Sequence, residues 1–186
     1  MKYDIFLKGK TVNLVNVNKK LILKTNFYTW LNDQTITKNT SQGYFPISRK
    51  EELEYYEQNI KSKKRIQLGV ILKKANKLIG MLSLYNINHF DGCCSISAFF
   101  NMKVKKINSL NYFRESQTLM IDHAFKKLNL RRVEAGVNHK SLLKVSQKLF
   151  GFTLEGILKE RVYTDGKYKD IYLMGLLRKN WLSDTR

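Results

Sequence analysis

The chain has 186 residues, 43% of them hydrophobic and 12% aromatic, which is enough for the core of one domain and excludes intrinsic disorder as the main state. No apolar run approaches the roughly 18 residues of a membrane span, and the N-terminus lacks the apolar region of a signal peptide, so we expect a single-domain cytoplasmic protein. The 34 Lys and Arg residues outnumber the 15 Asp and Glu residues, and the resulting formal charge of +19 attracts anions and disfavours a polycationic substrate such as a polyamine.

The first half of the chain predicts a strand, two helices and three further strands. Residues 11–17 favour a strand, and residues 19–32 favour a helix with a break near Thr25 and Asn26. The polar residues 34–44 are typical of a loop. Ser48 and Glu51 form the capping box that begins a helix over residues 49–60. Residues 67–72 and 78–86 predict two strands joined by a tight turn, and residues 95–100 predict a third.

The second half predicts two helices among three strands. Residues 115–128 place their apolar side chains on one helical face, and residues 132–138 alternate as in a strand. Residues 141–150 predict a short helix that ends at Gly151, and residues 153–163 and 167–177 flank a hairpin turn. The whole order, β-α-α-β-β-β-α-β-α-β-β, predicts an α/β fold with one mixed sheet and helices on its faces.

The cysteines and histidines give no sign of a metal centre. Cys93 and Cys94 are adjacent, where a disulfide between them would be strained, and the three histidines are scattered. The spacing of a structural zinc site is absent from the sequence, so we expect no bound metal.

Several short motifs follow one another in a fixed order along residues 10–182. They are WLND (residues 30–33), FPIS (45–48), KLIGMLSL (77–84), GFTLEG (151–156), RVYTDGKYKD (161–170) and MGLL (174–177). Together with the element order, these motifs resemble the GNAT family of N-acetyltransferases, in the branch of ribosomal-protein, spermidine and amino-sugar acetyltransferases. The resemblance implies a mostly antiparallel sheet with a central V-shaped splay for acyl-CoA. It also implies acetyl-CoA as co-substrate and a primary amine as acetyl acceptor.

The resemblance places the pyrophosphate of acetyl-CoA on residues before the helix predicted near Glu115. The family pattern R/Q-x-x-G-x-G/A puts its glycines at Ser109, Asn111 and Phe113, so this chain departs from the pattern at all three. Basic side chains nearby are candidates to replace the contacts that the glycine-rich backbone makes with the pyrophosphate in the family. The alternative is that these side chains belong to a solvated basic loop. These basic residues are Lys103, Lys105, Lys106 and Arg114. The implied cofactor-binding residues are Phe100, Asn101, Met102, Ser109, Leu110, Asn111, Tyr112, Phe113, Arg114, Asn138 and Ser141.

The resemblance also implies three candidate catalytic residues. Many family members carry a Glu base on the strand of residues 95–100, and Ser95 stands at that position here. Many use a Tyr on the helix before the G-F pair to protonate the departing thiolate, and Ser146 or Gln147 occupies that position, with Ser146 preferred. Asp33 follows the helix that lines the acceptor cleft, where it either binds or deprotonates the amine or simply ends the helix. Backbone N–H groups that polarise the thioester carbonyl would keep activity possible without the family Glu and Tyr.

The positive charge narrows the acceptor and partner classes that the resemblance allows. A small-molecule amine such as a nucleotide-linked amino sugar, or a protein N-terminus near RNA, suits a surface of charge +19. The alternative function is a GNAT-fold module that has lost its cofactor site and binds an anionic partner such as RNA. The sequence leaves the acyl chain length and the oligomeric state open, a homodimer included.

Overall fold

The strands form one sheet. The computed structural model describes residues 2–38, 40, 42–60, 64–101, 109–164 and 166–183, without the side chains of residues 59 and 60. The strands are β1 (Ile5–Lys8), β2 (Val12–Asn16), β3 (Ile66–Leu72), β4 (Lys77–Asn88), β5 (Cys93–Phe100), β6 (Arg132–Val137), β7 (Thr153–Thr164) and β8 (Lys167–Leu177). They lie in the order β1-β2-β3-β4-β5-β6-β8-β7. Neighbours are antiparallel except β5 and β6, which are parallel, so the expected mixed, mostly antiparallel sheet is confirmed.

Helices cover both faces of the sheet. They are α1 (Lys19–Lys24), α2 (Phe27–Leu31), α3 (Gln34–Thr37), α4 (Arg49–Ile60), α5 (Ser109–Asp122), α6 (Lys140–Phe150) and α7 (Arg178–Ser183), and a π-helical turn at His123–Lys127 extends α5. Side chains of α5, α6 and α7 join the larger core cluster on what we call the α5 face. Side chains of α1, α2 and α4 join a second cluster on the opposite face, the α1 face. No helix within the described ranges is long and apolar enough to cross a membrane.

The local signals that begin and end helices are confirmed. The Ser48 N–H donates to Glu51 Oε2 at 2.7 Å and the Glu51 N–H donates to Ser48 Oγ at 3.2 Å, which is the predicted capping box. The predicted break at Thr25 and Asn26 separates α1 from α2. Gly151 ends α6 in the left-handed region at φ 75°, with its N–H bonded to the Gln147 carbonyl at 3.0 Å.

The sequence expectation was wrong at four places, each with a local reason. It omits β1 and α7, whose side chains are mostly exposed, so neither element carries a long apolar pattern. It assigns α3 to a loop, although the Asp33 side chain caps a short helix there. It starts the third long helix near residue 115, whereas residues 109–114 already belong to α5. No Gly or Pro interrupts those six residues, and Phe113 packs against the core and extends the buried stripe of the helix.

A buried carboxylate supports the N-terminus of α2. Glu52 on α4 is only 7% exposed, and its side chain accepts a hydrogen bond from the backbone N–H of Tyr28. The cap residue Asn26 makes no side-chain bond to α2, so Glu52 supplies this contact from a different helix. Its Oε2 atom has no hydrogen-bond partner in the described structure. Burial raises the pKa of Glu52 to about 7, although the Tyr28 N–H and the charge of Arg49 both act to lower it.

The raised pKa predicts a pH-dependent effect of Glu52→Gln. The folded protein binds the Glu52 proton more tightly than the unfolded chain, whose carboxyl has the ordinary value of 4.5, so stability falls as pH rises from 4.5 to about 7. Glutamine keeps an acceptor for the Tyr28 N–H and removes the buried charge. We expect Glu52→Gln to raise the free energy of unfolding at pH 8 by about 2–3 kcal/mol and to change it little at pH 4.

Denaturant unfolding at pH 4 and pH 8 measures this difference. Glu54→Gln is the matched control, because Glu54 lies on the same helix in an exposed ion pair with Lys50. An effect of Glu52→Gln that is equal at the two pH values would contradict the assignment.

Candidate active site

A V-shaped opening divides the sheet between β5 and β6. The two strands pair only from Cys93 and Arg132 to Ser95 and Glu134. Beyond that row, β5 continues beside β4 as far as Phe100, and β6 continues beside β8 as far as Val137. The strands therefore diverge after three paired residues, and we call the gap between residues 96–100 and 135–137 the splay. The expected central splay is confirmed.

Main-chain groups of β5 face the splay at regular intervals. The Asn101 N–H donates to the Ile79 carbonyl on the β4 side, and the Gly92 carbonyl accepts from Arg132 N–H on the β6 side. Because successive residues of a strand direct their main-chain groups to opposite edges, Ala98 and Phe100 direct theirs into the splay. The strand thus offers hydrogen-bonding groups that no neighbouring strand uses at these two positions.

A β-bulge lies beside the row where the splay begins. The pairing of β4 with β5 changes register between Tyr85 and Asn88, opposite residues 93–95 of β5. Asn86 in this bulge has a φ of 52°, a left-handed conformation that asparagine tolerates better than most residues. Bulges increase the local twist of a strand pair, and this one lies beside the last row at which β5 and β6 pair.

Three aromatic rings cover the α5 face near the open end of β5. The Phe100 ring lies over Gly80, where an added Cβ would come within 2.7 Å of the ring. Phe100 and Phe113 have ring centroids 5.6 Å apart, and Phe113 and Phe150 have centroids 5.8 Å apart. The Phe113 ring therefore packs between Phe100 of β5 and Phe150 of α6. Asn101 follows β5 directly, and Met102 with Lys103, Lys105 and Lys106 lies outside the described residues.

The predicted pyrophosphate-binding residues form the first turns of α5 and not a loop. Leu110, Asn111 and Arg114 are exposed, whereas Ser109, Tyr112 and Phe113 are half-buried. Arg114 thus lies on the solvent side of the helix, one turn after Leu110 and Asn111. Helical backbone replaces the glycine-rich turn of the family pattern, which explains how non-glycine residues occupy all three glycine positions.

The other predicted residues of the cofactor side lie on or before α6. Asn138 follows β6 directly, and Ser141 is the second residue of α6, with its hydroxyl 3.3 Å from His139 Nδ1. His139 is the N-cap, so Ser141 does not cap the helix. Ser146 is 9% exposed and lies on the stripe of α6 that carries Leu143 and Phe150 against the sheet.

The WLND motif fixes the segment between α2 and α4. The Asn32 amide donates to the Ile47 carbonyl at 2.7 Å and accepts from the Ile47 N–H at 2.8 Å. The Asp33 carboxylate accepts from the Thr35 N–H at 2.9 Å and from the Thr35 hydroxyl at 2.6 Å, as the N-cap of α3. These contacts give both motif residues a structural role, and Asp33 uses one carboxylate oxygen for both of its bonds to Thr35.

The same segment contacts the C-terminal hairpin. The Tyr44 hydroxyl donates to the Tyr163 carbonyl on β7, and the Tyr163 and Tyr168 rings pack edge to face with centroids 5.1 Å apart. This bond joins residues 119 positions apart in sequence and brings the segment after α3 into contact with the β7–β8 hairpin. No local sequence signal indicates this contact.

Sequence reasoning also missed a charged cluster at the closed end of the splay. Arg132 Nε donates to Glu134 Oε1 at 2.7 Å, and the two terminal nitrogens of Arg132 bind both oxygens of Glu155. The bonds to Glu155 and then to Glu134 raise the pKa of Arg132, and the Arg132 guanidinium lowers the pKa of Glu155. The three residues come from β6 and β7, and Arg132 holds both carboxylates in fixed orientations.

Comparison with known proteins agrees with this geometry. The family model described as "Acetyltransferase (GNAT) domain" matches residues 23–149. The Bacillus subtilis protein named "Probable N-acetyltransferase YjcK" is 24% identical over 179 residues, which cover 92% of this chain and 96% of that protein.

Solved structures share the fold at low sequence identity. The spermidine N-acetyltransferase of Vibrio cholerae, solved with CoA and spermine, superimposes with a TM-score of 0.82 at 20% identity and covers 94% of this chain and 99% of its own. The same organism's spermidine/spermine N-acetyltransferase SpeG, solved with manganese ions, gives a TM-score of 0.76 at 18% identity, with 95% and 98% covered. Identities this low establish a common fold and leave the acceptor to be argued from this chain's own residues.

Proposed function

The chain belongs to the GNAT acetyltransferase family, and from this premise we propose that it transfers the acetyl group of acetyl-CoA to an amine carried by an anionic acceptor. Amine acetylation with acetyl-CoA is the reaction of N-acetyltransferases in this family. The observation that supports the reaction most directly is the splay, because its strand edges leave main-chain donors and acceptors available at the centre of the sheet.

The splay suits the amide-bearing arm of acetyl-CoA. Ala98 and Phe100 direct their main-chain groups into the opening, where an extended ligand can bond to them as an additional strand would. The aromatic rings of Phe100, Phe113 and Phe150 supply an apolar surface beside this edge. Asn138, at the end of β6, is positioned to contact the arm from the opposite strand.

The residues near the thioester have different tasks in this proposal. Backbone N–H groups of β5 polarise the thioester carbonyl, which requires no particular side chain. The Ser146 hydroxyl donates a hydrogen bond to the sulfur from α6. Acetyl-CoA itself supplies the activated acyl group, and the fold contributes orientation and a site with little water.

Four carboxylates around α2, α3 and α4 argue against a polyamine acceptor. Asp33 caps α3, Glu51 caps α4, Glu52 is buried against α2 and Glu54 pairs with Lys50. Asp33, Glu51 and Glu52 are used within the fold and Glu54 shares a surface ion pair, so the four groups do not form a cluster ready to bind several ammonium groups. Together with a net charge of +19, this favours an acceptor with negative charge, such as a nucleotide-linked amino sugar or a protein N-terminus near RNA.

Acceptor preference tests the proposal. We expect a nucleotide-linked amino sugar, or a peptide with a free N-terminus and acidic side chains, to exceed spermidine in kcat/KM by at least about 10-fold at low salt. The advantage should shrink as salt increases, because screening weakens long-range attraction. Release of CoA thiol measures turnover. A higher kcat/KM for spermidine would contradict the proposal of an anionic acceptor. It would leave the proposed acetyl transfer from acetyl-CoA to an amine standing.

Arg114 is expected to carry the electrostatic part of cofactor binding. Its exposed side chain projects from the first turns of α5, where the family pattern places the pyrophosphate. A guanidinium binds phosphate through two parallel hydrogen bonds. A charged hydrogen bond contributes about 1.5–3 kcal/mol, so Arg114→Ala should weaken CoA binding by roughly 10- to 150-fold, and more at low salt than at high salt.

Calorimetric titration with CoA at two ionic strengths measures this change. Lys127→Ala is the matched control, since it removes the same charge from an exposed position beyond the other end of α5. Unchanged affinity of Arg114→Ala at low salt would place the pyrophosphate elsewhere. Failure of the unaltered protein to bind CoA would favour the alternative of a module that binds an anionic partner.

A further inference from the structure

Three polar side chains form a row across the closed end of the splay. Tyr85 on β4 lies opposite Ser95 on β5, and Ser95 lies opposite Glu134 on β6. Their neighbours Cys94, Ile96 and Val133 belong to the core cluster of the α5 face. Because side chains alternate along a strand, the row projects from the α1 face. It is the last row before the strands separate.

Glu134 presents an oriented carboxylate in this row. Its side chain is 46% exposed, and Oε1 accepts the hydrogen bond from Arg132 Nε at 2.7 Å. Within the described part of the chain, Oε2 accepts no hydrogen bond. Glu155 binds the other end of the same guanidinium, so Arg132 cannot rotate away without breaking three bonds. One oxygen of Glu134 is therefore fixed and the other is available to a ligand.

Ser95 alone does not supply a base. A serine hydroxyl is too weak a base to take a proton from an ammonium group at neutral pH, whereas a carboxylate can act as the general base that accepts this proton and passes it on. Neighbouring strands lie about 4.8 Å apart, so a carboxylate on Glu134 reaches the space that a carboxylate on residue 95 would occupy. The two positions face each other only because of the pairing register, since they are far apart in sequence.

We propose that Glu134 is the catalytic carboxylate that takes the proton from the acceptor amine, across the strand pair from Ser95. This assignment rests on the proposed acetyltransferase function. The ammonium form of the acceptor gives one proton to Glu134, directly or through one water, and Glu134 passes it to solvent. The neutral amine then forms the C–N bond as the C–S bond breaks, and the second amine proton neutralises the departing thiolate as CoA thiol.

The test is turnover of Glu134→Gln with acetyl-CoA and the best acceptor of the comparison described above. Glutamine keeps the size of the side chain and an oxygen for Arg132 Nε, and it cannot take a proton. We expect kcat/KM for the amine to fall by about 100- to 1000-fold at pH 7, which is the range of general base contributions. CoA affinity should stay within about threefold, because the pyrophosphate lies elsewhere. The loss should diminish as pH rises and more of the amine is already neutral.

Two further variants separate a chemical role from a structural one. Glu155→Gln removes the other carboxylate that holds Arg132 and leaves Glu134 in place, so Glu155 acts only as a positioning residue and its variant should lose no more than about tenfold in kcat/KM, well below the loss of Glu134→Gln. Ser95→Glu in the Glu134→Gln background returns a carboxylate to the facing strand. The kcat/KM of this double variant should exceed that of Glu134→Gln alone by at least about tenfold. The ionisable groups that surround Glu134 are Arg132, Glu155, Tyr85, Cys93 and Cys94, and none of these changes in the double variant.

Three outcomes would overturn the assignment. The first is turnover of Glu134→Gln within threefold of the unaltered protein. The second is an equal loss in Glu155→Gln, which would show that both carboxylates act only by holding Arg132. The third is absence of turnover by the unaltered protein with every amine tested. This third outcome would contradict the proposed function itself and with it the step assigned to Glu134. The first two outcomes would contradict only the role of Glu134 and leave the proposed function standing.

Discussion

The interruption of the β5–β6 ladder is the constraint on which the rest of this structure depends. Backbone polar groups in a sheet normally pair with a neighbouring strand, and leaving them without any partner is unfavourable. Here β5 is held by β4 and β6 by β8, so neither strand can move to close the gap without losing its other ladder. The bulge at Tyr85–Asn88 lies beside the row at which the pairing ends. The opening is thus built into the sheet and does not require a mobile segment.

Two groups of acidic residues have different uses. On the α1 face, Glu51, Glu52 and Asp33 accept hydrogen bonds from backbone N–H groups at helix starts, although burial disfavours the charged form of Glu52. At the closed end of the splay, Glu134 and Glu155 share Arg132, which keeps two carboxylates beside each other in an otherwise strongly basic protein. Fifteen acidic residues against 34 basic ones leave few carboxylates for ligands, and this scarcity makes the position of Glu134 informative.

Sequence patterns predicted the elements well where a local signal exists. The capping box at Ser48, the left-handed Gly151 and the alternation in β6 are each determined by neighbouring residues. The site was predicted less completely, because its key relations are between distant residues. Neither the facing of Ser95 and Glu134 nor the bond from Tyr44 to Tyr163 can be read from sequence, since both depend on strand register and chain packing. The predicted loop was wrong at residues 109–114, because the absence of the family glycines was interpreted as an altered loop, whereas the residues in their place allow a helix.

Amide hydrogen exchange at β5, measured by NMR with and without CoA, tests most directly whether the splay is the cofactor site. The Ala98 and Phe100 N–H groups face the opening, whereas the Asn101 N–H is already bonded to Ile79 and serves as an internal reference. If the cofactor binds along the strand edge, saturating CoA will slow exchange at Ala98 and Phe100 much more than at Asn101. Slowed exchange at other sites, with Ala98 and Phe100 unchanged, would contradict the account.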